Sequence, residues 1–251
     1  MIKLRLKFSK HGPIRFLGHL DVMRYVQKAI RRAEIDIKYS EGYSPHQILS
    51  FAQPLSVGAT TDGDYMDMTV LSCSSPESVM ESLNSAMNEG IEILAIQELP
   101  EKSVNAMTSV AAAEYIISFR ENKEPSFDLL HEFTEFMKQN EILATKKTKN
   151  GEKQIDIKPL IYKWEILEDK SVHVLLSAGS SSNLKASLLI ESLFAFANEE
   201  MQEFAAKFHR LETYLEGEDE GGHYVQPMIP DMLNELSFAA DKNLTQGKIY
   251  V

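Results

Sequence analysis

Apolar residues in the first hundred positions follow two different periods, and the order of these periods restricts the fold more than any other feature of the chain. A period of two over residues 2–8 predicts a half-buried strand, and a helical period from Leu20 to Ala33 predicts a helix. Two strands are predicted next, at residues 47–54 and, after an Asp62-Gly63 turn, at residues 65–71. A helix that begins near residue 75 and a last strand at residues 90–99 follow them. The resulting order, β-α-β-β-α-β, is that of the ferredoxin-like fold.

Residues 98–109 break this periodicity and predict a linker. Beyond the linker the same order recurs with one extra hairpin, whose turn is predicted at Asn150-Gly151, and with a helix capped by Asn183. From Glu216 onwards the chain is rich in acidic residues and glycine, which predicts a flexible tail that ends in a short docking segment. The sequence therefore predicts an α+β protein of two tandem ferredoxin-like domains. The first is expected at residues 1–98 and the second, which has the extra hairpin, at residues 110–215, followed by the tail at residues 216–251.

Charge is distributed unevenly along the chain. Residues 1–50 contain 10 lysine and arginine residues against 4 aspartate and glutamate residues, a net charge of +6. The whole chain carries −11, so the other 201 residues carry −17. A basic segment in an acidic protein indicates a surface for an anionic partner, although a solvated helix without any partner gives the same count.

Cations of the predicted first helix are stacked on one side of it. Arg24, Lys28 and Arg31 are spaced four and three residues apart, with Arg32 beside them. Like charges at this spacing repel one another, and a helix face that tolerates the repulsion is a candidate for binding phosphates. The alternative is an ordinary solvated face.

The predicted first strand carries a second set of cations. Lys3, Arg5 and Lys7 fall on the same side of it, because side chains of a strand alternate with a period of two. If that side faces solvent, it forms a second basic row. Stacking aromatic residues are absent from this row, which weakens the analogy with RNA-recognition motifs.

The segment around the first helix is dense in polar and aromatic residues, and we expect part of it to form a pocket. The prediction is that His19 and His46 meet there and hold a phosphate or a base. Each histidine also has a local interpretation, as a helix-start residue bonded to backbone or as a turn residue packed on a tyrosine. His19, Tyr43 and His46 are expected to line this pocket with Arg15 nearby, and Tyr39 and Ser44 complete the expected binding residues of the segment.

Composition excludes several kinds of site. The single cysteine, Cys73, excludes an internal disulfide and any cysteine-rich metal site, and the spacing of histidine and acidic residues matches neither a zinc nor a calcium motif. We therefore expect neither a metal nor a cofactor in this chain. The alternating N-terminus resembles neither an export signal nor a transit peptide, and apolar runs are far shorter than the roughly 20 residues of a membrane span. A cytoplasmic protein is the expectation.

Two stretches of the first half are similar to a family of bacterial proteins linked to radical S-adenosylmethionine enzymes, formerly a domain of unknown function. They are RFLGHLDVMRYVQKAIRRAEI and KYSEGYSPHQILSFAQPLSVGATTDGDYMD. Asn183-Leu184-Lys185 and the stretch IDIKPLIY extend the resemblance into the second half. Members occur alone, or fused to or encoded beside a cobalamin-binding radical enzyme. The resemblance implies an accessory protein of such an enzyme, acting in RNA or ribosome chemistry.

These observations lead to one main hypothesis and two alternatives. The main hypothesis is a non-enzymatic binding module that presents RNA or a ribosomal substrate to a cobalamin-dependent radical enzyme. The first alternative is a metal-independent endoribonuclease that uses a histidine of the first domain. The second is a structural adaptor between proteins without nucleic acid contact, which the net charge of −11 favours.

Overall fold

Strands and helices of the first half follow the order that the periodicities predict. The protein's structure is a computed structural model that describes residues 1–148, 151–180, 182–230, 232–244 and 247–251. The elements of the first half are β1 (Ile2–Lys10), α1 (His19–Arg32), β2 (Leu49–Phe51), β3 (Thr60–Val70), α2 (Pro76–Ala86) and β4 (Ile91–Leu99). A 3-10 turn, Gly12–Phe16, lies between β1 and α1.

The second half repeats this order with an insertion. A short helix, α3 (Ala106–Ser109), leads into it from the predicted linker. Its elements are β5 (Val110–Phe119), α4 (Leu129–Lys138), β6 (Leu143–Thr148), β7 (Gly151–Asp156), β8 (Ile161–Ile166), β9 (Val172–Ser177), α5 (Ala186–Phe196) and β10 (Ala206–Asp219). Two more strands follow, β11 (Gly222–Pro227) and β12 (Ile249–Tyr250). The predicted Asn150-Gly151 turn includes Asn150, which lies outside the described residues.

Ten strands of the described chain form one mostly antiparallel sheet, which confirms the α+β class. In the first half the strand order is β4-β1-β3, and β2 pairs with the other edge of β3. In the second half the order is β10-β5-β9-β8, and neighbouring strands within each half are antiparallel. β6 and β7 pair with each other as a separate hairpin.

β3 and β10 join the two halves into this one sheet. They pair in parallel, with Thr60 opposite His209 and Thr61 opposite Arg210. Gly63 permits the close approach, because a Cβ atom there would lie 2.3 Å from the carbonyl oxygen of Leu211. The predicted turn at Asp62-Gly63 is therefore wrong, since both residues lie inside β3.

The four longer helices cover one face of the sheet. Leu4, Leu6 and Phe8 of β1 pack against α1 and α2, and the equivalent apolar side of β5 and β9 packs against α4 and α5. The two helix-covered sides belong to one face, because Asp64, which pairs with Phe8, also contacts Arg210 of β10. Within the described ranges, every helix falls short of the length and apolarity that crossing a bilayer requires.

Local sequence explains where the helices begin. Ser75 caps α2, with its hydroxyl accepting from the backbone of Ser78 and with Pro76 in the first turn, as its sequence predicts. The second-half helix α5 differs from the prediction. Its N-cap is Lys185, whose side chain makes no capping hydrogen bond, so Asn183 lies two residues before the cap.

Residues 216–251 differ from the predicted flexible tail. β10 continues to Asp219 and turns into β11, and β11 pairs with β12. Val225 and Ile249 are buried against Tyr214. The segment from residue 228 onwards also contacts the sheet face opposite the helices, where Phe238 stacks on His173 with 3.8 Å between ring centroids. The physical reason is that buried polar groups on that face take hydrogen-bond partners from this segment.

Candidate functional site

The cations of α1 lie on its solvent side. Arg24, Lys28, Arg31 and Arg32, here called the basic face, are all exposed. The opposite side of the helix carries the buried residues, which are Val22, Val26, Ala29 and Ile30. The apolar stripe thus holds α1 on the sheet and leaves the basic face free to meet a partner.

The members of the basic face differ in their local contacts. Arg24 forms an exposed ion pair with Asp21 at 3.3 Å. Arg32 donates to the carbonyl oxygen of Ala86, at 2.7 and 3.2 Å, and so satisfies the C-terminal end of α2. Lys28 has no side-chain hydrogen bond or ion pair among the described residues. Lys28 and Arg24 are therefore the most available cations, and Arg32 is partly committed to the fold.

Residues 39–47, here called the Tyr43 loop, project beside this helix. Ser40 closes the loop, because its hydroxyl bonds to Nδ1 of His46 at 2.8 Å and accepts from the His46 backbone at 3.1 Å. Ser44 is exposed and the Tyr43 ring is fully exposed, while Tyr39 is 46% exposed. An exposed phenol ring on a fixed loop offers its face to a partner.

One backbone atom connects the Tyr43 loop to the basic face. The carbonyl oxygen of Gln27 accepts from Nε of Arg31 and from Nε2 of Gln47, each at 3.3 Å. Gln47 is buried and also donates to the hydroxyl of Tyr39 at 3.5 Å. The exposed aromatic loop and the cations of α1 therefore form one surface.

Arg15 and His19 lie elsewhere, at the N-terminal end of α1. His19 packs edge-on against Phe51, with ring centroids 5.4 Å apart, and the Arg15 guanidinium lies 4.8 Å from the ring of Phe16. The predicted pocket shared by His19 and His46 is thus not formed. The reason is that Gln47 fixes the loop at Gln27, which is eight residues or about 12 Å along the helix from His19.

The condition for a second basic row on β1, that its side of the strand faces solvent, is not met, because Arg5 and Lys7 are buried and Lys3 is half-buried. Arg5 makes a two-pronged ion pair with Asp67, at 2.8 and 3.0 Å. Lys7 pairs with Glu212 at 2.7 Å and donates to the carbonyl oxygen of Met232. Lys3 donates to the carbonyl oxygen of Ser103 at 2.6 Å. The linker and the C-terminal segment cover this side of the strand.

Lys7 and Glu212 form a buried pair in which the pKa of the carboxyl group is far from its ordinary value. Burial raises the pKa of Glu212 to about 7, although Lys7, Tyr65 and the Thr213 backbone favour its charged form. Tyr65 donates to the other carboxylate oxygen at 2.7 Å. This contact was not predictable from local sequence, because Lys7 and Glu212 are 205 residues apart.

Two polar groups at the junction of the halves were likewise not predicted. Asp62 lies 2.5 Å from Nε2 of His11 and 3.4 Å from Nε2 of His209, and these contacts lower its pKa to about 2, His209 having the larger effect. On the helix side, Arg210 pairs with Asp64 at 2.5 Å and donates to the hydroxyl of Tyr115. Asp62 and Asp64 alternate in β3, but their partners are distant in sequence: His11 follows β1, and His209 and Arg210 lie on β10.

A third polar group lies on the opposite face of the second half. Glu114 and His173 are both buried and 2.5 Å apart, and Glu114 also accepts from Ser237 and from the backbone of Phe238. This group anchors the C-terminal segment. In the part of the chain that the structure describes, His, Cys, Asp and Glu form no group of three that could hold a metal ion.

Comparison with known proteins gives a family and a distant structural likeness. A search of curated proteins finds no match. Among solved structures, a chain of "Crystal Structure of a Cbf5-Nop10-Gar1 Complex" is 12% identical, with a TM-score of 0.42 over 84% of this chain and 48% of that one. This chain thus spans about half the length of that relative. Residues 3–186 match the family described as "Uncharacterized protein conserved in bacteria" (DUF2344), and the chain belongs to that family.

Proposed function

We propose that this protein is a non-enzymatic accessory module that binds RNA through the basic face and the Tyr43 loop and presents it to a cobalamin-dependent radical S-adenosylmethionine enzyme. The observation that carries the proposal is the shared hydrogen bonding at the carbonyl oxygen of Gln27. It joins the exposed cation Arg31 to the loop that carries the exposed ring of Tyr43, and cations with aromatic rings are the two components of a single-strand binding surface.

The cations supply the affinity for phosphates. Arg24, Lys28 and Arg31 are exposed on one side of α1, so that successive phosphates of a strand can meet successive turns of the helix. Each neutralised phosphate releases counterions, which favours binding at low salt. The acidic remainder of the protein repels the same strand and confines it to this surface.

The Tyr43 loop supplies contacts to bases. The ring of Tyr43 is fully exposed and Tyr39 is about half exposed, so each can offer a π-face to an unpaired base. Stacking on an aromatic side chain contributes about 1–3 kcal/mol per base and tolerates any sequence. His46 stands in the same loop and adds a further ring.

The topology bears on where RNA would bind. The strand orders β4-β1-β3-β2 and β10-β5-β9-β8 are what two tandem ferredoxin-like units, at residues 1–98 and 110–215, would have, the second with the β6–β7 hairpin inserted. Modules of this kind bind single-stranded RNA through the open face of the sheet, which the linker and the C-terminal segment contact here, so the proposed surface lies on α1 and the Tyr43 loop instead.

The partnership with a radical enzyme rests on the sequence resemblance of residues 15–35 and 38–67, which include the basic face and the Tyr43 loop. Cys73 is the one cysteine of the chain. The iron–sulfur cluster of a radical enzyme needs several cysteines, so the partner must supply it.

A binding titration tests the proposal. Labelled RNA is titrated with the wild type and with the triple variant R24E/K28E/R31E, at about 50 and about 200 mM salt. The matched control, K102E/K153E/K242E, changes three exposed lysines elsewhere and alters net charge equally. Three phosphate contacts predict that wild-type affinity falls about twentyfold between the two salt concentrations.

The triple variant should lose binding while the control variant keeps most of it, and both should retain the wild-type circular dichroism spectrum. Equal affinities for the two variants, or an affinity that ignores salt, would reject RNA binding by this surface. The adaptor without nucleic acid contact would then be the better account.

One observation favours the endoribonuclease as a second candidate. His11 of the first half is about half exposed and Asp62 holds its Nε2, an arrangement suited to general acid–base work. RNA recovered intact from the titration would count against this candidate, whereas cleavage that His11→Ala abolishes would support it.

A further inference from the structure

A groove runs along the helix side of the sheet where the two halves meet. It consists of two adjoining cavities of about 500 and about 320 Å³. Both are lined by Ser56, Val57, Ala59, Ser187 and Phe208, so residues of the first-half loop form one wall and residues of the second half form the other. Each cavity falls within the size range of pockets for small ligands.

Two phenylalanine rings stand exposed in the smaller cavity. Phe16 is 58% exposed and Phe204 is 71% exposed, although both are large apolar side chains. Val57 beside them is 63% exposed. Apolar exposure of this kind costs free energy in the isolated protein and is typical of a surface that binds a partner.

The backbone at Phe204 is strained in a way that holds its ring in place. Its φ is +57°, a conformation that bulky residues rarely adopt. Nε of Arg120 donates to the Phe204 carbonyl oxygen at 2.8 Å, and Nζ of Lys123 donates to that of Glu203 at 2.7 Å. Strain that the surrounding structure enforces on an exposed ring is a mark of a functional position.

Cations surround the exposed rings. Arg120 and Lys207 line the smaller cavity together with one acidic residue, Glu191, and Lys185 lines the larger cavity. The Arg15 guanidinium lies 4.8 Å from the Phe16 ring, and its Nε is buried without a hydrogen-bond partner among the described residues. Aromatic faces beside cations are complementary to unpaired bases on a phosphate backbone.

The floor of the larger cavity does not take part in this recognition. Arg210 lies there, but its donors are used by Asp64, by the Tyr115 hydroxyl and by the carbonyl oxygens of Gln53 and Pro54. Its function is to hold the first-half wall against the second half. An anionic ligand would therefore be held by the exposed cations at the rim.

We infer that this groove binds unpaired nucleotides, with bases stacked on Phe16 and Phe204 and phosphates held by Arg15, Arg120 and Lys207. The inference rests on the proposed function and deepens it, because it makes single-stranded RNA the substrate class. Phe16 lies three residues before His19, where α1 begins, so the groove adjoins the N-terminal end of the helix that carries the basic face.

The test compares a single-stranded RNA with the duplex formed from it and its complement. The wild type should prefer the single strand by about tenfold or more, because paired bases cannot stack on the two rings. Phe16→Ala should weaken single-strand binding about tenfold and leave duplex binding unchanged.

Phe204→Gly gives the sharpest variant. It removes the ring and relieves the positive φ, so the protein should unfold at a higher urea concentration and yet bind the single strand about tenfold less tightly. Asn198→Gly is the matched control, since Asn198 has a φ of +54° and lines neither cavity, and it should leave RNA binding unchanged.

Four outcomes decide the matter. A preference for the single strand that both phenylalanine variants abolish supports the inference. Equal binding of single strand and duplex by the wild type overturns the inference. Full RNA binding by both phenylalanine variants, while R24E/K28E/R31E fails to bind, overturns it too. In these two cases RNA binding by α1 still stands. If no RNA binds the wild type at all, the proposed function has failed as well.

Discussion

The cations of β1 and those of α1 are separated by fewer than thirty residues, yet the structure uses them in opposite ways. Arg5 and Lys7 on β1 are 4% and 3% exposed and pair with acidic groups inside the protein. Arg24 and Lys28 on α1 are exposed. A segment with a net charge of +6 therefore presents much less positive charge on β1 than on α1.

Clustered cations in a sequence therefore predict a charged surface only where the local hydrophobic period also determines that those side chains are exposed. On α1, the apolar stripe alone decides that the cations face outward. On β1 both sides of the strand are covered, and the acids that neutralise the inner cations come from residues 67 and 212. Local pattern contains no information about partners that distant.

The largest expected effect follows from removing one member of a buried pair. Lys7→Ala leaves Glu212 without its cation and also removes the hydrogen bond to Met232, so it should lower the free energy of unfolding by about 3–5 kcal/mol. Lys28→Ala removes the same side chain from an exposed site and should change it by less than about 0.5 kcal/mol. Urea denaturation of both variants measures the contrast, and equal losses would contradict the distinction between the two sets of cations.

A slightly smaller effect concerns pH. Burial holds the pKa of Glu212 near 7, above its unfolded value of 4.5. A raised folded-state pKa gives stability that is complete below pH 4.5 and is lost as pH rises through 7, a change on the order of 3 kcal/mol. Glu212→Gln should remove this part of the pH dependence. Parallel pH profiles of the wild type and the variant between pH 5 and 8 would show that the pKa is not raised.

The smallest effect distinguishes members of the basic face. Arg32→Ala removes the hydrogen bonds to the Ala86 carbonyl oxygen and should cost about 1 kcal/mol of stability. Arg24→Ala removes only an exposed ion pair and should cost less than about 0.5 kcal/mol. Thermal unfolding of the two variants checks this order. A larger loss of stability for Arg24→Ala would contradict the distinction between Arg32, which bonds to the fold, and Arg24, which does not.

Elements governed by local chemistry were predictable from the sequence. The Ser75-Pro76 start of α2 and the apolar stripe of α1 appear in the structure as the sequence indicates. Asp62-Gly63 reads as a turn in any local analysis. It lies inside a strand because Gly63 makes room for β10, a contact between residues almost 150 positions apart.

The candidate site likewise has a part that was predictable from local sequence and a part that was not. The exposure of the basic face followed from helical spacing, whereas the pocket expected around His19 and His46 did not form, because Gln47 binds α1 two turns beyond His19. The strands and buried contacts in the described part of residues 216–251 were not predictable from composition. Their acidic, glycine-rich start is typical of a tail, and the buried Glu114 that holds Ser237 lies 123 residues earlier.

Crosslinking of RNA to the native protein, with the adducts located by mass spectrometry, tests the central claim most directly. We expect adducts on Tyr43, on neighbouring residues of its loop and on α1, with none on Tyr65 or Tyr214, which are buried. Adducts confined to the acidic second half, or an RNA footprint that omits α1 and the Tyr43 loop, would contradict it.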